Sequence, residues 1–78
     1  MEVRFELKGY KSGELKTAIE TTDVVDALAL IAMLRELYDD MTVRYIGKTT
    51  DETRHYGRNS KREWELLGVS TNQKGGQA

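Results

Sequence analysis

The residues able to do chemistry are few and do not converge. His55 is the only histidine and there is no cysteine. A thiolate metal site is therefore excluded, and an imidazole site would need carboxylates gathered from elsewhere in the chain. Arg54 and Arg58 flank that histidine and would repel a cation. Asp39-Asp40 and Asp51-Glu52 are adjacent acids of the kind that solvate turns, and the spacing of a calcium loop is missing. Ser12, Ser60 and Ser70 have no base near them in sequence, and Gly9, Gly13, Gly47 and Gly57 are too scattered for a phosphate-binding loop. Tyr45, Arg54 and His55 are the one combination that could be imagined as an acid–base site. The expectation is a non-enzymatic protein with no catalytic residues, no cofactor and no bound metal.

Charge is more informative. The net charge is −1 over 78 residues, but its distribution is uneven. Residues 1–40 hold five bases against nine acids. Residues 41–62 hold Arg44, Lys48, Arg54, Arg58, Lys61 and Arg62 against only Asp51 and Glu52. A local basic segment on a balanced chain can mark an anionic partner. Tyr45, His55 and Tyr56 are interleaved with these bases, and such aromatics can stack on nucleobases while the cations hold phosphates. Arg44, Arg54, His55, Tyr56, Arg58, Lys61 and Arg62 are the candidate partner-binding residues. Their first reading is contact with a protein, and their second is nucleic-acid binding through segment 44–62.

One helix must organise the domain. In the stretch from Asp23 to Tyr38, Val24, Ala27, Leu30, Ile31, Leu34, Leu37 and Tyr38 share one broad face at helical spacing. Thr22 or Asp23 can cap its start. No residue from Ala27 to Leu34 is polar, so a second face is expected to be covered as well. Ala29, Ala32 and Met33 on that side, with Trp64 from the C-terminal region, form a candidate interface. The chain's own C-terminal segment, a partner or a homodimer mate could fill it.

Glu2 to Tyr10 alternates, with Val3, Phe5 and Leu7 inward, and Glu14 to Thr21 does the same with Leu15, Thr17 and Ile19. A three-residue loop ending at Gly13 predicts Phe5 opposite Ile19 and Lys8 opposite Lys16. A two-residue loop would send Ile19 outward. Met41 to Lys48 is a third strand, and Thr53 to Arg58 is a weaker candidate for a fourth. Ser60-Lys61-Arg62-Glu63 has the spacing of a capping box, which predicts a short helix from Lys61 to Leu67 ending at Gly68. The fold class is thus α+β: a small antiparallel sheet of three or four strands with one long helix packed on one face, in the order ββαβ(β)α. Residues 1–69 make the domain, and 70–78 read as a disordered tail.

No apolar run is long enough to span a membrane and the chain opens on a strand pattern rather than a signal peptide, so a cytoplasmic protein is expected. In size, lack of cysteine and lack of catalytic motifs, though in no shared motif, the chain resembles phage or mobile-element accessory proteins, among them inhibitors of host defence enzymes. That resemblance implies a protein that acts by occupying a protein partner.

Overall fold

A computed structural model describes residues 3–71. The strands are β1 (Arg4–Lys11), β2 (Glu14–Thr21), β3 (Asp40–Ile46), β4 (Asp51–Arg58) and β5 (Trp64–Thr71), with helix α1 (Val24–Leu37) between β2 and β3. All pair antiparallel in one sheet of order β2-β1-β3-β4-β5. The domain is α+β, but the expected three or four strands and ββαβ(β)α order are wrong. It has five strands and the order ββαβββ.

The C-terminal helix is the error that matters. Asn59, not Ser60, organises the local turn: its Oδ1 accepts the N–H groups of Lys61 (2.8 Å) and Glu63 (3.0 Å). The Asn59 N–H donates to the Glu63 carbonyl (2.8 Å), closing the β4–β5 turn, in which Arg62 takes a positive φ of 67°. A helix from Lys61 to Leu67 would be too short to hold itself together. As strand β5, Trp64–Thr71 instead pair along β4, with Leu67 as a single bulge residue. The strand extends to Thr71, so Ser70 and Thr71 of the tail expected over 70–78 belong to the sheet; residues 72–78 lie outside the described residues.

The β1–β2 hairpin reaches the expected face by another route. Lys11 pairs with Glu14, leaving a two-residue turn in which Ser12 (φ 55°) and Gly13 (φ 78°) are both left-handed, as the right-handed twist of a hairpin favours. A β-bulge at Lys16 then restores the alternation. Leu7, rather than Phe5, lies across from Ile19, and Phe5 lies across from Thr21. Lys8 meets Ala18, so the expected Lys8–Lys16 repulsion never arises. Lys16 instead pairs with Glu14 (3.0 Å).

Helix α1 starts at Asp23, whose Oδ1 accepts the Val25 N–H (2.8 Å), and ends as Tyr38 turns extended. The Tyr38 ring lies on Gly9, where a Cβ would come within 2.6 Å of it. The core is small. Leu7, Leu34 and Met41 are fully buried, with Phe5, Leu30, Ile31, Tyr38, Val43, Tyr56 and Trp64 partly buried around them. Ala27 is buried under the helix. No helix among the described residues is long and apolar enough to cross a membrane.

Candidate protein-interaction surface

A five-stranded sheet is about 24 Å wide at the usual strand spacing, and a helix with its side chains covers only about 10–12 Å of it. Helix α1 packs over β1, β2 and β3. The same side of β4 and β5 is therefore left largely bare. Alternation and register place Arg54, Tyr56 and Arg58 of β4 on that side, and across from them Val69, Leu66 and Trp64 of β5. A β-bulge at Leu67 keeps Leu66 and Val69 on the same side, while Leu67 itself turns to the outer face over Gly57.

The second face of α1 is uncovered too. Val25 is 70% exposed, Leu28 64% and Met33 40%, and Ala29 and Ala32 are exposed with them. The expected cover from the C-terminal segment does not exist, because that segment is an edge strand in the plane of the sheet. The apolar run from Ala27 to Leu34 thus buries one face and leaves the other to solvent.

Between α1 and β4–β5 runs a groove made of three adjoining recesses. One of about 640 Å³ has Ala32, Arg35, Arg58, Arg62 and Trp64 among its walls. A second of about 290 Å³ is lined by Ile31, Met41, Tyr56, Trp64 and Leu66, among others. A third of about 410 Å³ lies over Phe5, Ile31, Val43 and Tyr56, with Arg54 and Glu52 at its rim. Of the expected interface residues, Ala32 and Trp64 therefore meet in one recess, while Ala29 and Met33 sit on the solvent side of the helix.

The expected partner-binding residues do not form one patch. Arg44 is on the outer sheet face. Its Nε and Nη2 reach the Asp51 carboxylate at 2.8 and 2.6 Å and its Nη1 reaches Glu6 at 3.2 Å. That pairing, chiefly the hydrogen bonds donated to Asp51, raises the guanidinium pKa above its ordinary value. Asp51 itself is 6% exposed, and this bidentate pair is how the sheet tolerates it. His55 is also on the outer face, its Nε2 3.7 Å from Asp40. On the helix side Arg54 is ion-paired with Glu52, which, ahead of Tyr56, raises its pKa.

Arg58 is a clamp. Its Nη2 donates to the Arg35 carbonyl (2.8 Å) and its Nη1 to the Arg62 carbonyl (3.0 Å), and its guanidinium lies 4.9 Å from the centre of the Trp64 ring. The Trp64 indole N–H donates to the same Arg35 carbonyl (3.3 Å). A cation and a donor thus satisfy a carbonyl in the last turn of α1, where the dipole favours positive charge. They also pin β4 and β5 to the helix end. Lys61 and Arg62 are exposed in the turn.

Sequence reasoning set Leu28 beside the second helix face without counting it an interface residue, and missed Leu66 and Val69. The signal for the last two was the alternation from Trp64 to Leu66, hidden by the bulge that follows. Among the described residues, no three His, Asp or Glu side chains are grouped to hold a metal ion. No protein family, curated protein or solved structure matches this chain.

Proposed function

We propose that this protein is a small non-enzymatic binding module that acts by occupying a protein partner through the groove beside α1 and the open face of the helix. The observation that carries this reading is the coverage mismatch: one helix serves five strands. It leaves Val25, Leu28, Leu66 and Val69 each more than 45% exposed on one side of the sheet. Exposed apolar side chains flanking a groove rimmed by charges are what binding surfaces use. The bare strip beside the helix, roughly 12–14 Å across by the spacings above, fits one amphipathic helix of a partner. Arg54, Arg58 and Arg62 with Glu52 and Glu63 at its margins would set register more than affinity. Action by occupation suits an accessory or inhibitor protein, since blocking a partner needs no chemistry of its own.

Nucleic-acid binding is the weaker reading on charge grounds. Arg44 and Arg54 are paired with carboxylates and Arg58 is committed to two carbonyls. The test is capture of a purified candidate partner by the immobilised chain at moderate salt. Leu28→Glu should abolish capture, while joint replacement of Lys61 and Arg62 by Glu should only weaken it. Capture untouched by Leu28→Glu would overturn the reading. So would retention of nucleic acid with a salt slope of about 0.7–0.9 per neutralised phosphate.

A further inference from the structure

The two edges of the sheet are built differently. β2 carries Glu14, Lys16 and Glu20 and is bulged at Lys16, the devices that keep an edge from pairing. β5 has one charged residue in eight, Glu65, and neither lysine nor proline. Leu66, Leu67 and Val69 are 48–52% exposed along it, and no helix or loop among the described residues covers its outer edge. Its sequence is also matched to itself. Because Leu67 is the extra residue of the bulge, Trp64, Leu66 and Val69 lie on the helix side, with Thr71 continuing the alternation, while Glu65 and Ser70 lie on the outer side.

We propose that β5 pairs antiparallel with β5 of a second copy, with the bulged Leu67 left out of the pairing on both strands, so that the two-fold axis passes through Gly68 and the two sheets become one of ten strands. In that register Leu66 faces Val69 of the mate, Trp64 faces Thr71, and Glu65 faces Ser70. Every pair joins residues of the same sheet face, the central pair is apolar on both sides, and no like charges oppose. Gly68 stands at the axis, where a Cβ would find open space in the monomer. The closed two-fold contact satisfies the free backbone groups of the edge and stops further growth. It uses the edge of β5 rather than its helix-side face, so it does not depend on the proposed partner groove. It would lay two such grooves side by side, over β4 and β5 of each copy, with the two helices as outer walls.

The register gives a charge test at a position exposed in the monomer. Ser70→Glu sets a carboxylate against Glu65 of the mate twice per dimer, and Ser70→Lys sets an ammonium there twice. Cross-strand pairs of this kind should move the dimer dissociation constant by about two- to thirty-fold, weaker for the first and tighter for the second. The measurement is sedimentation equilibrium of the full chain across a concentration series, with circular dichroism confirming that each variant is folded. Glu65→Lys combined with Ser70→Glu should restore dimerisation. A wild-type chain that stays monomeric at millimolar concentration would overturn the proposal. A dimer indifferent to both Ser70 substitutions but dissociated by Leu28→Glu would also overturn it, and would place the mate on the helix instead.

Discussion

Leu34 and Leu28 lie on the same helix, six residues apart, and should behave as if they belonged to different proteins. Leu34 is fully buried against Leu7 and Met41. Truncating it to alanine removes apolar contact and leaves a cavity, at a cost of about 2–5 kcal/mol. Leu28 is 64% exposed, so only about a third of its side chain is removed from water. Full burial of a leucine contributes about 1.5–3 kcal/mol, so Leu28→Ala should cost about 0.5–1 kcal/mol. Helix propensity favours alanine slightly and trims this further. A 78-residue domain has a total stability of roughly 4–12 kcal/mol. At about 4–8 °C per kcal/mol for a chain of this size, Leu34→Ala should lower Tm by at least about 8 °C and can unfold the protein outright. Leu28→Ala should lower it by no more than about 8 °C. Thermal melts followed by circular dichroism at two protein concentrations decide the matter. Equal losses in a sample shown to be monomeric would mean that α1 is rotated on the sheet and that Leu28 is not on an open helix face. A small loss of stability for Leu28→Ala alongside a large loss of partner binding is the pattern expected of a docking residue.

Gly9→Ala should cost about 1–3 kcal/mol by overpacking, because the new methyl meets the rigid Tyr38 ring at 2.6 Å. Gly57→Ala should cost less, since its nearest neighbours, Asp40 Oδ1 at 2.6 Å and Leu67 Cδ1 at 2.7 Å, are ends of flexible side chains. Urea titration of the two variants side by side checks the order. Gly13→Ala should cost about 1–2 kcal/mol for its left-handed φ of 78°. Ser12→Asn should raise Tm, since asparagine favours the first left-handed position of such a turn. Asp23→Ala should lose about 0.5–2 kcal/mol with the cap on Val25, read as a fall in the urea midpoint at unchanged slope.

Much of the fold was legible where local pattern and tertiary demand agree. The long helix, its cap at Asp23 and the first hairpin all follow from spacing and turn chemistry. In the hairpin, alternation fixed which residues face the core, because a slip of one would expose them. It did not fix the route. A three-residue loop, and a two-residue turn followed by a bulge at Lys16, deliver Ile19 to the same face with different partners. The short C-terminal helix was misread because Ser60 and Glu63 have capping-box spacing, yet Asn59 takes the relevant N–H groups. Trp64 and Leu67 are three apart, which suits a helix. Trp64, Leu66 and Val69 suit a strand only once a bulge at Leu67 is allowed. No single-residue signal announces that bulge.

The candidate site was hidden for a different reason. A run of positive charge in sequence is not a positive surface when the run is a strand. Alternation sends Arg44 and His55 to one side of the sheet and Arg54 and Arg58 to the other; neighbouring strands supply Glu6 and Asp51 to Arg44, and Glu52 of the same strand pairs with Arg54. Arg44, Arg54 and Arg58 are then absorbed into holding the sheet and the helix end together. What remains unmatched is apolar area, and that is a property of the count of strands against helices rather than of any motif. The apolar stretch from Ala27 to Leu34 did carry the clue, since a helix with its back to water normally shows charge there. Reading the C-terminal segment as a helix supplied a false cover for that back. With the segment placed as β5, the open helix face and the bare half of the sheet follow from the same fact. The last strand widens the sheet by one place and brings no layer with it.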